Sequence, residues 1–444
     1  MASLKTVKGK KIRLTPKTEG TLPTYRYTGK TEYGGEEKRI RWIPINRKAG
    51  MEPQKGMYRQ LYKNICSCLE KEPPAGNILW PLDVTEEAAE GFGYVTEDCS
   101  PNYLPFEDYL EGRAFFSGWS MIVNAALSLT ALFLRLKEKG CHFVDLSNGD
   151  VLVHSQNGKV LLAGAEMLTW ESSVNAAGAG TLMSPEYITG KRAADERTDE
   201  YLLAVLLFEL FFRGHPLEGL GTARNPVMTK EIKESCYGTA PVFVYDPEDE
   251  SNRPVRGIHI NVPGLWKQCP KFLQRAFEEG FDKRVLAGKR RGISAEQWYK
   301  NLILLRSVIV PCSCGMDNFL PVYMGEEKGR CVRCRSEIEN PSLCWKPGRQ
   351  RITSYPVVPG GVIYRCQLET NPGTDFNAEA GRFIRNKDSG LCLIQNTSDT
   401  PWIIPETGEQ VEAGETIPAR EGLVVSIEDR RMRFEAVEKK ENEV

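Results

Sequence analysis

Short apolar runs alternate with glycine and charged residues in the N-terminal part of the chain. Runs of strand length occur at residues 11–14, 25–27, 39–44, 77–82 and 91–95. Between them, residues 51–70 contain no strong breaker after Gly56. Their apolar side chains recur at helical spacing, at Tyr58, Leu61, Tyr62, Ile65 and Leu69. The pattern predicts an antiparallel β-layer interrupted by one helix.

The middle of the chain is mainly helical by the same criterion. Helices are predicted, in order, at residues 106–110, 115–140, 197–212, 270–280 and 294–308. Two short apolar runs, 151–154 and 159–163, are joined by Gln156-Asn157-Gly158, which is a hairpin signal. Strands with one helix, followed by a long helical part, indicate the α+β class.

Two further changes of composition divide the C-terminal part. From Pro311 the chain is rich in cysteine and glycine, and from about Ser354 it consists of short β-like runs between turn residues. These predict a compact all-β domain with strands at residues 361–368, 382–385, 391–395, 402–404, 409–412, 422–427 and 431–434. Residues 438–444 are mostly charged and predict a solvated tail.

Length and charge limit the function classes. The chain of 444 residues is long enough for two to four domains, and 58 basic against 59 acidic residues give a net charge of −1. That balance argues against a dedicated nucleic-acid-binding protein. No apolar run of signal-peptide length follows the basic N-terminus. The longest apolar stretch, 114–134, has the length of a membrane span, but its polar interruptions favour a buried helix. We expect a cytoplasmic protein without a membrane segment.

Four of the thirteen cysteines form two closely spaced pairs, Cys312-x-Cys314 and Cys331-x-x-Cys334. In a chain without a secretion signal, such pairs are typical of metal ligands rather than disulfides. The spacing resembles a zinc ribbon, in which four thiolates surround a structural Zn²⁺, with residues 319–324 as a candidate ribbon strand. The alternative is four unrelated reduced thiols.

Four segments of the central region occur in a characteristic order and spacing. They are GCHFVDLSNGDVLV (140–153), GKVLLAGAE (158–166), GTLMSPEY (180–187) and TDEYLLAVLLFEL (198–210). This series resembles the catalytic loop, metal loop, activation-segment end and central helix of a protein kinase. The resemblance covers residues 10–308 and implies a two-lobed kinase-like fold.

Several positions of chemical importance depart from the kinase pattern. Asp145 stands at the catalytic aspartate position and Asp150 at that of the metal-binding asparagine. Gly164-Ala165-Glu166 replaces Asp-Phe-Gly, so position 164 has no side chain to bind metal. Glu166 is a possible substitute if it points inward.

The N-terminal positions depart as well. The resemblance places Arg41 where the family has its phosphate-binding lysine. Gln60 is the nearest candidate for the helix glutamate that pairs with that lysine. The stretch from Thr18 to Tyr27 has one glycine and is not a phosphate-binding loop.

The structural positions of the pattern are retained. Glu186 in Ser184-Pro185-Glu186 matches the Ala-Pro-Glu motif, and Arg290 or Arg291 is its predicted partner. Asp199 matches the central-helix aspartate that anchors the catalytic-loop backbone. A retained scaffold with altered chemistry is typical of a pseudokinase.

The C-terminal β domain resembles the tail of bacterial kinase-like proteins and, more distantly, a forkhead-associated β-sandwich. Such proteins are often encoded beside von Willebrand A domain proteins and metal-dependent protein phosphatases. The resemblance therefore implies a protein partner of one of these kinds and a role in signalling.

Together these observations predict five segments: a kinase-like N-lobe (1–98), a C-lobe (99–309), a zinc ribbon (310–345), a β-sandwich (354–437) and a charged tail (438–444). The leading hypothesis is a pseudokinase scaffold with weak or absent nucleotide binding. The alternative is an atypical Ser/Thr protein kinase that uses MgATP, with Asp145 as base, Asp150 and Glu166 for metal and Arg41 for phosphate.

Overall fold

The chain folds into a mixed α+β structure with several antiparallel sheets. The computed structural model describes residues 3–14, 26–45, 52–88, 90–171, 180–225, 227–347, 355–368, 375–386, 388–427 and 430–437. The stretch predicted to lack a phosphate-binding loop falls mostly outside these residues, and the predicted charged tail lies outside them entirely.

The N-terminal part contains a hairpin, a four-stranded sheet and one helix. Its elements are β1 (Ser3–Lys5), β2 (Lys11–Arg13), β3 (Tyr27–Tyr33), β4 (Glu36–Pro44), α1 (Glu52–Leu69), β5 (Pro81–Val84) and β6 (Gly91–Thr96). The four strands β3 to β6 form an antiparallel sheet in the order β3-β4-β6-β5. Gly34 and Gly35 form the two-residue turn between β3 and β4, and both have the positive φ that such a turn requires. The predicted β-layer with one helix is confirmed in outline. The strand predicted at 77–82 instead spans Pro81–Val84, and the one predicted at 25–27 overlaps β3 only at Tyr27, with Tyr25 outside the described residues.

Helix α1 packs on the sheet through its aromatic side chains. The rings of Tyr58 and Tyr62 each meet the ring of Phe92 on β6 edge to face, with centroids 5.2 and 5.1 Å apart. These residues belong to the stripe that the helical spacing predicts, so amphipathicity orients the helix.

The central part is helical apart from short strands. Its elements are β7 (Tyr103–Pro105), α2 (Phe106–Leu110), α3 (Trp119–Glu138), β8 (His142–Phe143), β9 (Val151–His154), β10 (Val160–Leu162), β11 (Leu168–Thr169), α4 (Pro185–Ile188), α5 (Glu196–Phe212), α6 (Leu220–Ala223), α7 (Lys230–Glu234), α8 (Asn261–Lys267), α9 (Lys271–Gly280), α10 (Lys283–Leu286) and α11 (Ala295–Ser307). The predicted helices and the β9–β10 hairpin are confirmed within a few residues.

Helix α5 lies at the centre of the largest core. Asp195 caps its first turn by accepting hydrogen bonds from the backbone N–H groups of Arg197 and Thr198. Every residue from 198 to 212 is buried, as expected for a helix that is apolar nearly all round. Within the described residues one helix, α3, could cross a membrane by length and composition, but 72% of that apolar window is buried inside the protein. The prediction of a buried helix there is confirmed.

The C-terminal part begins with a small cysteine-containing segment. Its elements are β12 (Ile309–Pro311), β13 (Asp317–Phe319), α12 (Pro321–Met324), β14 (Gly329–Arg330) and β15 (Glu337–Ile338). The strand predicted at 319–324 is wrong beyond Phe319. Pro321 occupies the first turn of α12, where its fixed φ favours a helix start.

Two antiparallel sheets follow. Their elements are β16 (Leu343–Pro347), β17 (Tyr355–Pro356), β18 (Val362–Tyr364), α13 (Arg365–Leu368), β19 (Glu379–Arg385), β20 (Cys392–Asn396), β21 (Trp402–Ile404), β22 (Glu409–Val411), β23 (Thr416–Pro418), β24 (Val424–Ile427) and β25 (Arg430–Ala436). Six strands form one sheet and four form the other, and they share a core containing Trp345, Phe383, Trp402 and Phe434. The single strand predicted at 361–368 is wrong in its second half, because the chain turns into α13 there.

Candidate functional site

The hairpin β9–β10 brings two distant carboxylates to one place. Asp150 immediately precedes β9, and Gly164 to Glu166 follow β10 at the same open end of the hairpin. The N–H of Ala163 donates to the carbonyl oxygen of Asp150 over 2.8 Å. Antiparallel pairing therefore places Asp150 and Glu166 side by side, beneath the N-terminal sheet.

Arg41 reaches these carboxylates from the sheet. It lies on β4 directly opposite Tyr94 on β6, and it is only 9% exposed. Its Nε donates to Oε1 of Glu166 over 2.8 Å, and its Nη2 donates to Oδ1 of Asp150. The three predicted site residues Arg41, Asp150 and Glu166 thus meet, and they bind one another.

Further hydrogen bonds close this ion cluster. The Tyr94 hydroxyl donates to Oε2 of Glu166 over 2.6 Å. Asn64 on α1 donates from Nδ2 to the backbone oxygen of Glu166 over 2.9 Å. Glu166 itself is fully buried and points inward, toward Arg41. We call the group of Arg41, Tyr94, Asp150 and Glu166 the ion cluster.

Burial and charge act in opposite directions in the ion cluster. Burial is the largest influence on Arg41 and lowers its pKa, but the carboxylate of Glu166, helped by Asp150, outweighs it and the net pKa is raised. For the acid Asp150 burial has the opposite effect and raises the pKa, but Arg41, Ser147 and Arg26 together bring the pKa below its ordinary value. Both groups are therefore held in their charged forms.

Gly164 lies against Asp150 at close range. A Cβ on residue 164 would stand 3.0 Å from Cβ and 3.2 Å from Cγ of Asp150. A side chain at this position would need Asp150 to shift. Asp150 can therefore keep its inward position because residue 164 has no side chain.

Asp145 lies nearby but outside the ion cluster. Its Oδ1 accepts hydrogen bonds from the backbone N–H groups of Leu146, at 2.9 Å, and Gly180, at 3.0 Å. Burial raises the pKa of Asp145, and the two N–H donors offset only part of that effect. The carboxylate therefore orders two stretches of backbone, the segment after β8 and the segment that begins at Gly180.

Asp199 on α5 anchors the backbone before Asp145. Its Oδ1 accepts from the N–H of Phe143 over 3.0 Å, and its Oδ2 lies 2.7 Å from Nδ1 of His142. The hydrogen bond with Asp199 raises the pKa of His142. The anchoring role predicted for Asp199 is confirmed.

The predicted partner of Glu186 is wrong. Oε1 of Glu186 lies 3.4 Å from Nε of Arg192 and 3.7 Å from Nη2 of Arg197. Both arginines follow Glu186 closely in the sequence. Arg290 donates to the carbonyl oxygen of Glu279, and Arg291 binds Glu196 and Glu200 on α5. Gly288 packs directly on the Glu186 carboxylate, where a Cβ would clash with Oε1.

Gln60 does not approach Arg41. Its Nε2 donates to Oδ1 of Asn64 over 2.9 Å, one turn further along α1. Asn64, not Gln60, is the α1 residue that reaches the ion cluster. Sequence reasoning missed Asn64 and Tyr94, whose positions depend on helix packing and strand register.

The four cysteines of the C-terminal part converge. The sulfur atoms of Cys312, Cys314, Cys331 and Cys334 all lie within 4.8 Å of one another. The Cys312–Cys334 and Cys314–Cys331 distances are 3.5 and 3.7 Å. Tetrahedral ligation at a metal–sulfur distance of about 2.3 Å requires sulfur–sulfur distances of roughly 3.8 Å. The group could therefore hold a metal ion.

Local hydrogen bonds favour the thiolate at two members of this cysteine group, Cys331 and Cys334. At Cys314 the backbone N–H of Met316 lowers the pKa, but burial and hydrogen bonds with the other three thiols raise it to about 11. Backbone N–H groups of Cys334 and Arg333, with the side chain of Asn318, lower the pKa of Cys331 to about 6. Cys334 is shifted in the same direction, chiefly by Ser336. Gly315 and Arg335 both have positive φ in the turns that follow the first and second cysteine pairs. A thiolate is the form that binds metal.

Comparison with known proteins gives no family for this chain. A scan against protein-family models finds no match, and a search of curated proteins finds none either.

Proposed function

We propose that this chain is a pseudokinase, a kinase-like protein that acts by binding other proteins rather than by transferring phosphate. The observation that carries the proposal is the ion cluster. The kinase resemblance assigns Arg41 to the phosphates and Asp150 to the metal. Arg41 instead donates hydrogen bonds to both Asp150 and Glu166.

Electrostatics gives the reason why the ion cluster disfavours MgATP. A kinase site needs carboxylates free to bind Mg²⁺ and a cation free to bind phosphate. Here a buried guanidinium is paired with both carboxylates, and separating them would leave buried charges unpaired. Position 164 adds no further ligand. What Asp145 retains is its structural use as an acceptor for two backbone N–H groups.

A combined binding and transfer experiment tests the proposal. Thermal unfolding is measured with and without MgATP, beside radiolabel transfer to the protein itself and to a generic substrate. We expect no stabilisation by MgATP and no transfer. Transfer that Asp145→Asn abolishes would instead establish the atypical Ser/Thr kinase. Stabilisation without transfer would establish a nucleotide-binding scaffold.

We further propose that the four cysteines hold a structural Zn²⁺, as in a zinc ribbon. Four sulfur ligands leave no open position for catalysis. Metal analysis of the purified protein should give one zinc per chain. A Cys331→Ser variant should lose it, whereas Cys236→Ser, a half-buried cysteine outside the group, should not.

The partner that the resemblance implies is a von Willebrand A domain protein or a metal-dependent protein phosphatase, and we retain it as part of the proposal. Support for a binding role comes from the two C-terminal sheets, which have a core of their own. Co-purification of the full chain with each class of partner, compared with a chain that ends before β16, would test it.

A further inference from the structure

An open groove of about 340 Å³ lies between the α2–α3 connection and the ends of helices α5 and α8. Its walls come from three separate parts of the chain. Its lining includes Tyr109, Phe115, Ile122, Arg213, Ile260 and Leu265. The groove is distinct from the ion cluster and from the cysteine group, because it shares no residue with either.

The rims of the groove are apolar and exposed. Phe115 is 64% exposed and Ile260 is 77% exposed, and both line the groove. Ile258, two residues before Ile260, is also exposed. Large apolar side chains placed together at a groove rather than singly are typical of a surface that another protein covers.

Arg213 gives the groove a fixed positive charge. Its guanidinium lies 5.4 Å from the ring centroid of Tyr109 and 5.5 Å from that of Phe115. Tyr109 is itself held by its hydroxyl, which donates to the carbonyl oxygen of Leu210 over 2.9 Å. Within the described ranges, Nε of Arg213 is buried and has no hydrogen-bond partner.

The backbone at Arg213 is also unusual. As the residue after α5 it has φ 52° and ψ 48°, the left-handed conformation that glycine usually adopts at a helix end. Arginine occupies this left-handed position although the next residue, Gly214, is a glycine. Gly112 packs against the guanidinium, where a Cβ would stand 2.9 Å from Nη2.

We propose that this groove binds a segment of a partner protein in which a carboxylate side chain stands beside aliphatic or aromatic residues. The planar guanidinium of Arg213, steadied by two rings, matches a carboxylate in both charge and shape. The exposed rims formed by Phe115 and Ile260 take the neighbouring apolar side chains. The charge of Arg213 selects an acidic segment over a basic one. This inference does not depend on the kinase resemblance.

A display library of random short peptides, selected on the full chain, tests the proposal. We expect enriched peptides to combine Asp or Glu with apolar residues, and to bind less tightly as salt is raised. Arg213→Gly should weaken these peptides about tenfold or more, because it removes the charge. Glycine suits the left-handed backbone, so this variant should fold as well as the parent chain.

Controls separate the groove from the rest of the surface. Arg224→Gln removes an exposed arginine elsewhere and should leave peptide binding unchanged, whereas Ile260→Ser should weaken it. Enriched peptides without acidic residues, peptides that bind Arg213→Gly equally well, or no enrichment at all would overturn the proposal. A concentration-dependent dimer abolished by Ile260→Ser would also overturn it, by assigning the groove to a second copy of the chain.

Discussion

Nε of Arg41 donates to Oε1 of Glu166 over 2.8 Å, joining residues 125 positions apart in sequence. The same guanidinium binds Asp150, so two buried carboxylates share one buried cation. Removal of one partner from a buried ion group leaves uncompensated charge, which is far costlier than the loss of an exposed pair.

Arg41→Met should therefore lower the free energy of unfolding by about 3–5 kcal/mol. Lys63→Met is the matched control, because the Lys63–Glu171 pair is exposed and should change stability by less than about 1 kcal/mol. Urea unfolding of both variants measures the difference. Equal effects of the two substitutions would show that the ion cluster contributes no more than a surface pair.

The contact between Gly164 and Asp150 leads to a second prediction. Gly164→Ala should cost about 1–3 kcal/mol of stability, because its Cβ would stand 3.0 Å from Cβ of Asp150. Gly164→Asp should cost more, since it adds a third carboxylate to a site where Arg41 already faces two. Thermal unfolding of both variants measures this. Asp150→Asn in the Gly164→Asp background should recover part of the lost stability. No recovery would show that the two carboxylates do not repel each other.

These two relationships show how far the sequence leads. The resemblance identified Arg41, Asp150 and Glu166 as candidate site residues from their positions in the chain. Their mutual bonding did not follow, because it depends on how α1 and the sheet pack over the hairpin. Arg192 and Arg197 as partners of Glu186 were missed for a similar reason: tertiary packing directs Arg290 to the carbonyl oxygen of Glu279 and Arg291 to α5.

The cysteine group was predictable because two short spacings define two turns, and sulfur ligands have few other uses in such pairs. The groove at Arg213 gave no sequence signal. Its walls come from three separate segments, 109–122, 213 and 260–268. A single arginine after an apolar helix is unremarkable in the sequence alone.

A third prediction concerns pH and rests on Glu209 in the buried helix α5. Burial raises its pKa to about 8 from an ordinary 4.5. Between these values the unfolded chain releases a proton that the folded chain keeps, so stability should fall as pH rises. The slope from this group approaches about 1.4 kcal/mol per pH unit.

Glu209→Gln should flatten that decline and should be more stable than the parent chain near pH 8. Urea unfolding at mildly acidic and mildly basic pH measures it, with the exposed Glu326→Gln as control. A parent chain whose stability rises over this interval, with Glu209→Gln following the same curve, would contradict the assignment.

A fourth prediction concerns the cysteine group. Zinc affinity in such sites is on the order of 10–16 kcal/mol, so the metal would hold the short elements β12 to β15 together. Chelation of the full chain should expose this segment to protease while the helical core keeps its thermal transition. Cys236→Ser should behave like the parent chain, whereas Cys331→Ser should be cleaved even without chelator. Protection that is unaffected by chelation would exclude a structural metal.

The last prediction concerns the contact between α11 and the C-terminal sheets. The guanidinium of Arg306 lies 3.4 Å from the ring centroid of Tyr364 and is only 4% exposed. Gln367 on α13 adds a hydrogen bond to Ser307, at 2.9 Å. Desolvated cation–ring contacts are worth about 2 kcal/mol or more.

Tyr364→Phe keeps the ring face and should leave the chain unchanged, whereas Tyr364→Ala should loosen the C-terminal sheets from the helical core. Limited proteolysis between α11 and β18, with calorimetry to detect a second unfolding transition, measures this. If the Phe and Ala variants behave alike, the ring face contributes nothing and the hydrogen bonds of Gln367 and Asn377 carry the contact. Because Arg306 is buried without a hydrogen-bond partner for its Nε within the described part of the chain, we expect Tyr364→Ala to be the more damaging change.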